Sequence, residues 1–276
     1  MGYFNDKVVV ITGAGGVLCS VIAKAYAKEG AKVALLDLNL EAAQAKAKEI
    51  SDLGYLAKAY QCNVLSKESI ETAHQLILND LGSCDILING AGGNNPRANT
   101  DNEFFKNEDL GNMKTFFDLE QAGVEFVFNL NYMGTLLPSQ VFAKDMLDKE
   151  DASILNISSM NSFTPLTKIP AYSGAKAAIS NFTKWLAVHF SKTNIRCNAI
   201  APGFFVTLQN EKLLFNADGT PTARTEKILR NTPMDRFGKA EELIGACLFL
   251  TNKEQASFIN GVVLPIDGGF SAYSGV

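Results

Sequence analysis

Lys7-Val8-Val9-Val10-Ile11-Thr12-Gly13-Ala14-Gly15-Gly16 decides the fold, because a continuous apolar run here ends in a glycine turn and a helical pattern follows from Val17 to Glu29. A run without polar alternation is what a parallel strand looks like when helices cover both its faces. Strand, glycine turn and helix together make a place for phosphate. The backbone N–H groups and the positive dipole end at the helix start suit a pyrophosphate, and glycine lets the ligand come close. The same turn also reads as a plain tight strand-to-helix connection with no ligand.

Outward from this turn the alternation repeats. Lys32 to Leu36 reads as a second strand ending at Asp37, and helices at about 40–53 and 66–80 separate strands Tyr55–Gln61 and Asp85–Ile88. A long helix is expected over Gln121–Asp148, then a strand Ser153–Ile157, a helix from Tyr172 to about Lys192 that is apolar on more than one side, and a strand Ile195–Ala201. A helix over 240–251 and a last strand Val262–Pro265 complete the pattern. This order predicts an α/β doubly wound parallel sheet, read as a single domain over 1–276 with substrate-loop insertions at about 93–120 and 208–235.

Composition narrows the function. The 276 residues carry a net charge of -4 with acids and bases interspersed, which leaves no footprint for nucleic acid or an anionic membrane. The five cysteines, at 19, 62, 84, 197 and 247, and the two histidines, His74 and His189, are scattered, so neither a disulfide frame nor a metal site is expected. No signal-like segment opens the chain, Asp6 breaks the myristoylation pattern, and no apolar run approaches the ~18 residues of a membrane span. A cytoplasmic protein acting on a small molecule is expected.

The chemistry concentrates at Ser158-Ser159-Met160 and Ala171-Tyr172-Ser173-Gly174-Ala175-Lys176. The strand before Ser158 delivers the serines at its C-terminal end, and Tyr172 and Lys176, four apart, share one helix face. A phenol has a reference pKa of roughly 10, and a nearby ammonium favours its phenolate, so the pair can move a proton near neutral pH. The bland reading is a helix-start tyrosine with a solvated lysine. Asn131, unfavourable in mid-helix, is a further candidate. In the first insertion Phe104, Phe105, Phe116 and Phe117 argue against disorder, and Arg97, a planar fork of donors, suits a substrate carboxylate unless it is simply a surface arginine.

In this order the motifs resemble the short-chain dehydrogenase/reductase family, whose sheet is Rossmann-type. Its T-G-x-x-x-G-x-G turn keeps Thr12 and Gly13 but has Val17 and Cys19 at the later glycines, so that Gly15 and Gly16 take over the close approach. Cys62-Asn63-Val64, Asn89-Gly90-Ala91-Gly92, Asn131, Ser159 with Tyr172 and Lys176, Pro202-Gly203 with Thr207, and Asp267-Gly268-Gly269 match the remaining motifs. The resemblance implies hydride transfer, with Tyr172 moving the proton, Ser159 bonding the reacting oxygen, Lys176 lowering the tyrosine pKa and Asn131 holding a relay water. It implies a cofactor on Thr12, Gly13, Gly15, Gly16, Val17, Leu18, Asp37, Asn63, Val64, Asn89, Gly90, Ala91, Tyr172, Lys176, Pro202, Gly203 and Thr207. An acid at Asp37 accepts both adenosine ribose hydroxyls and repels a 2′-phosphate, which favours NAD over NADP; its other reading is a helix cap, although Asn39 could cap without it.

Asn94-Asn95-Pro96-Arg97, Ser158-Ser159-Met160-Asn161, Pro165-Leu166-Thr167-Lys168 and the Phe-Ser-Ala-Tyr-Ser-Gly-Val terminus resemble the D-mannonate oxidoreductase, or fructuronate reductase, branch. That implies a sugar-acid substrate near Arg97, Asn161 and Lys168, and a homo-oligomer, dimer or tetramer. The alternatives are another sugar or polyol dehydrogenase of gluconate type and a non-catalytic dinucleotide-binding protein on the same fold.

Overall fold

A computed structural model describes residues 2–207 and 214–275, so the first six residues of the expected second insertion, 208–213, lie outside the described residues. Seven strands form one sheet: β1 (Val8–Thr12), β2 (Lys32–Asp37), β3 (Ala57–Gln61), β4 (Ile86–Asn89), β5 (Ala152–Ile157), β6 (Ile195–Pro202) and β7 (Val263–Ile266). Their order is β3-β2-β1-β4-β5-β6-β7, and every neighbouring pair is parallel. This is the Rossmann-type sheet expected from the alternation.

Strand geometry sends successive side chains to opposite faces, and here both faces are apolar. Val9, Ile11, Val33, Leu35 and Ile88 pack against α1 (Val17–Lys28), α2 (Leu40–Ser51) and α8 (Ile244–Thr251). Val8, Val10, Leu36, Leu87 and Ile154 pack against α3 (Lys67–Asp80), α5 (Gly134–Met146) and α6 (Pro170–His189). The continuous runs in the sequence are therefore strands roofed twice.

The order in which strands are added reverses between β1 and β4, since the first three strands build one way along the sheet and the rest the other. In such sheets the crevice at the C-terminal ends of these two strands takes the ligand. Thr12 stitches it shut at the base. Fully buried, its hydroxyl accepts the backbone N–H groups of Gly90 (3.1 Å) and Ala91 (3.2 Å).

Two expectations change, and a third holds for a different reason. The long helix over Gln121–Asp148 is α4 (Gln121–Phe128), a π-helical turn over Asn129–Met133, and α5 ending at Met146. The cause is Asn131, whose amide donates to the Val127 carbonyl (2.7 Å) and so takes a place in the helix ladder. The helix at Tyr172 starts two residues earlier, at Pro170, and is not buried all round: Trp185 is 54% and Val188 74% exposed. The first insertion is ordered, but its phenylalanines do not order it by burial, since Phe104 is 77%, Phe116 67% and Phe117 68% exposed. Polar turns hold it instead. The Asp109 carboxylate accepts from Asn102 Nδ2 (2.7 Å) and Lys106 N–H (2.9 Å), and the Asp118 carboxylate from Thr115 N–H (2.8 Å).

The described part of the second insertion contains α7 (Ala223–Arg230), capped by Thr222. Among the described residues no helix is long and apolar enough to cross a membrane.

Thr12→Val keeps the shape and removes the acceptor for two buried N–H groups, so it should lower unfolding free energy by about 2–4 kcal/mol in urea titration. Thr12→Ser should stay within about 1 kcal/mol of the parent, and equal losses in both variants would show that the hydroxyl is not the stitch.

Candidate active site

β5 ends at Ile157, and the chain leaves the sheet edge through Ser158 and Ser159 into a 3₁₀ turn over Met160–Ser162. α6 returns over this edge and brings Tyr172 and Lys176 to Ser159. The Ser159 hydroxyl stands beside the Tyr172 phenol and favours its phenolate, and Lys176 Nζ lies 5.6 Å from the Tyr172 ring centre. Ser159, Tyr172 and Lys176 are thus one constellation. The helix is locked to the strand end by Ser158, whose hydroxyl donates to the Lys176 carbonyl (3.1 Å) and shares a hydrogen bond with Ser180 (2.7 Å). Sequence reasoning did not single out Ser158 for this, because a hydroxyl to a helix carbonyl has no motif.

Lys176 is 4% exposed, and its ammonium donates to the Ile157 carbonyl (2.9 Å). Burial pulls its pKa down to about 8. Burial pushes the Tyr172 phenol up to about 12, with the Ser159 hydroxyl acting the other way. The expectation that Lys176 brings the tyrosine down is therefore not met in this state. The physical reason is desolvation: taking a phenolate out of water costs more than the surrounding groups return.

Gly92, the last residue of the Asn89-Gly90-Ala91-Gly92 motif, also borders the site. A Cβ on it would stand 2.7 Å from Asn131 Oδ1 and 3.2 Å from Lys176 Nζ, so glycine keeps the approach to both open. Asn131, fully buried in the π turn, donates to the Gly93 carbonyl (2.7 Å) and accepts from the Gly93 N–H (3.3 Å). The π turn thus fixes the loop after β4 beside the lysine. No sequence period signals such a turn.

On the other side of the crevice α1 starts after Gly16, which offers no side-chain cap to the first-turn N–H groups of Val17 and Leu18. A helix start of that kind favours an anion. Gly15 N–H donates to Asp37 Oδ2 (2.9 Å) and Asn39 N–H to Asp37 Oδ1 (2.9 Å). Asn39, not Asp37, caps α2 by accepting the Ala42 N–H (3.1 Å). A carboxylate accepts about four hydrogen bonds, so Asp37 retains capacity for two hydroxyls.

The altered glycine turn has its own logic. Any side chain on Gly90 would collide with the buried Cys19 sulfur and would stand 2.8 Å from the Thr12 carbonyl. Cys19 at a family glycine and Gly90 at a family asparagine are therefore one complementary change.

Other candidates are spread more widely. Thr12 and Asn89 spend their side chains inside the fold, the Asn89 amide donating to Ser139 (3.0 Å) and Asn156 (2.9 Å). Asn63 Oδ1 accepts the Leu65 N–H (3.0 Å) within its own turn, and Val64 is buried against Gly134. Gly203, after Pro202, is pinned to β7 by its N–H on the Ile266 carbonyl (2.9 Å), with the Asp267 backbone against it and Thr207 four residues on. Asn161 is 5% exposed; its N–H donates to Ser159 Oγ (3.3 Å) and its buried Oδ1 has no hydrogen-bond partner. Arg97, exposed, turns toward Glu120 at 3.8 Å. Lys168 lies in the loop before α6, its carbonyl taken by Thr100 N–H (2.9 Å). Among the described residues no group of three or more ligating side chains could hold a metal.

The family model described as short chain dehydrogenase matches residues 7–215. An uncharacterized oxidoreductase of Haemophilus influenzae is 66% identical over 272 residues, 99% of this chain and 95% of its own. The uncharacterized oxidoreductase UxuB of Bacillus subtilis is 50% identical over 270 residues, 98% of this chain and 96% of its own. A crystal structure from Haemophilus influenza, described as a candidate D-mannonate oxidoreductase with bound NAD, superposes with a TM-score of 0.96 at 65% identity, covering 100% of this chain and 98% of that one.

The lysine gives a pH signature. Its folded pKa lies below the unfolded value of 10.5, so the desolvation penalty is full below about pH 8 and is relieved as pH rises through 8 toward 10.5, where the unfolded chain binds more protons. Lys176→Met should therefore match or exceed the parent in Tm at pH 7, and the parent should gain on the variant between pH 8 and pH 10. A constant difference across that window would contradict a desolvated ammonium.

Proposed function

The chain belongs to the short-chain dehydrogenase family and is an oxidoreductase, and from that premise we propose that it interconverts D-fructuronate and D-mannonate with NAD as cofactor. The observation that carries the reading is Tyr172 between the Ser159 hydroxyl and a lysine ammonium held out of water 5.6 Å from its ring centre. Likeness to the NAD-bound candidate D-mannonate oxidoreductase and the unpartnered Asn161 oxygen next to Ser159, an acceptor for a substrate hydroxyl, support the choice of a sugar acid.

The crevice fits the cofactor on its own chemistry, with an uncapped helix start, a carboxylate with spare lone pairs, and a glycine where a Cβ would fill the space above Lys176. Gly13 to Leu18 would hold the pyrophosphate and Asp37 the adenosine ribose. Asn63 and Val64 would border the adenine, the backbone of Asn89 to Ala91 the middle, and Pro202, Gly203 and Thr207 the carboxamide. When bound, NAD accepts a hydride from the carbinol carbon, and NADH returns one to the ketone.

The protein's own groups handle the proton. Tyr172, protonated across the neutral range, donates from its Oη to the substrate oxygen in reduction. Ser159 donates to the same oxygen as charge develops on it. Lys176, charged below about pH 8, stabilises the phenolate left behind, and Asn131, anchored on the Gly93 backbone, would hold the relay water beside the lysine.

Tyr172→Phe should abolish turnover and leave NADH binding near normal, because only the transferable proton is lost. Turnover within tenfold of the parent would sink the mechanism. NADH should be preferred over NADPH in kcat/KM, and Asp37→Ala should narrow the gap. Equal use of the two cofactors by the parent would refute the role of Asp37. A panel of keto acids, keto sugars and steroids tests the substrate, and the expected best is fructuronate.

A further inference from the structure

The two insertions, far apart in sequence, meet in an ion pair. Glu103 of the first insertion accepts Lys227 Nζ of α7 in the second, and the Glu103 side chain is only 27% exposed. A third segment joins them. Thr100 N–H donates to the Lys168 carbonyl (2.9 Å), which ties the first insertion to the loop between Ser159 and Tyr172 and holds Lys168 at φ 72, a conformation other residues than glycine rarely adopt. The Lys168 ammonium acts on the same carboxylate, which the two lysines together hold below the usual range, Lys227 contributing more. Lys227 of the second insertion thus pairs directly with Glu103, while Lys168, tied through its backbone to Thr100, belongs to the same neighbourhood and stands four residues before Tyr172.

We infer that Lys168 and Lys227 form the seat of the substrate's carboxylate, and that Glu103 occupies this seat when no sugar acid is bound. The inference rests on the sugar-acid reading above. It assigns to these lysines what the sequence offered to Arg97 or Lys168. Arg97 is half exposed and faces Glu120, whereas Lys227 joins the two insertions through Glu103 and Lys168 sits in the catalytic loop that Thr100 ties to the first of them. In a keto sugar acid the carboxylate stands several carbons from the reacting carbonyl, so it needs cations beside the Tyr172 hydroxyl rather than on it. One carboxylate shared by two ammonium groups leaves a positive excess, and a substrate carboxylate replaces Glu103 charge for charge. A neutral keto sugar cannot make that exchange.

The test compares kcat/KM for NADH-dependent reduction of D-fructuronate and of D-fructose in the parent and in Lys168→Ala, Lys227→Ala, Glu103→Gln and Arg97→Ala. The acid-to-neutral ratio should fall about tenfold in each lysine variant, through KM for the acid, and should rise in Glu103→Gln, which removes the internal competitor. Lys168→Arg and Lys227→Arg keep the charge and should restore most of the ratio, which separates charge from misfolding. An unchanged ratio in both lysine variants, or a drop only in Arg97→Ala, overturns this assignment while leaving the sugar-acid reading intact. A parent enzyme that reduces fructose but not fructuronate overturns both.

Discussion

A lysine ammonium buried beside a phenol is the constraint around which the crevice is built. Removing an ammonium from water is costly unless its hydrogen bonds are replaced, and Lys176 receives one direct replacement, the Ile157 carbonyl at 2.9 Å. That carbonyl is available because β5 ends there, and α6 is held in register by the Ser158 hydroxyl on the Lys176 carbonyl. On the open side Gly92 and Asn131 leave clearance that any Cβ at 92 would remove. The ammonium is thus stabilised by position rather than by a paired acid. Its charge stays unspent, and in the proposed mechanism it is available at the moment Tyr172 becomes anionic, where catalysis by preorganised charge requires it.

The phosphate turn shows the same economy of space. Cys19 fills, from α1, the volume a side chain at residue 90 would need, and Thr12 bonds both residues that follow β4. One small residue at 90 therefore serves the sulfur on one side and the switch-point backbone on the other. A close-packed interior couples such positions, so a departure from a motif at one is matched at the other. The turn is altered in composition and intact in form.

The sheet was legible because most strands are short, largely apolar runs that end in turn residues, and all seven lie within two residues of the expected ends, even the edge strand β3 with its exposed Lys58 and Gln61. Ser159, Tyr172 and Lys176 were legible because spacing of four on a helix fixes a shared face. What escaped has physical reasons. The π turn comes from one amide replacing one backbone bond, and the Lys176 anchor is a backbone carbonyl, invisible in any motif. The depressed tyrosine pKa was read from charge alone, while burial, which sequence does not show, moved it up. Phenylalanines in the first insertion argued against disorder, and the segment is ordered, yet carboxylates on backbone N–H groups rather than buried rings do the ordering.

That last difference separates two kinds of stability in one chain. Tyr172 and Lys176 stand on α6 and Ser159 just past the end of β5, between two buried layers whose opening would require the whole sheet to come apart. The insertions stand on capping turns, a backbone bond from Thr100 and an ion pair between Glu103 and Lys227, each worth about 1 kcal/mol or less when exposed. Segments held this way open locally at a small fraction of the global free energy. A crevice whose floor is rigid and whose rim opens cheaply can admit a substrate and still present its reacting oxygen to a fixed tyrosine. The same division lets the rim change its ligand without disturbing the proton chemistry beneath it.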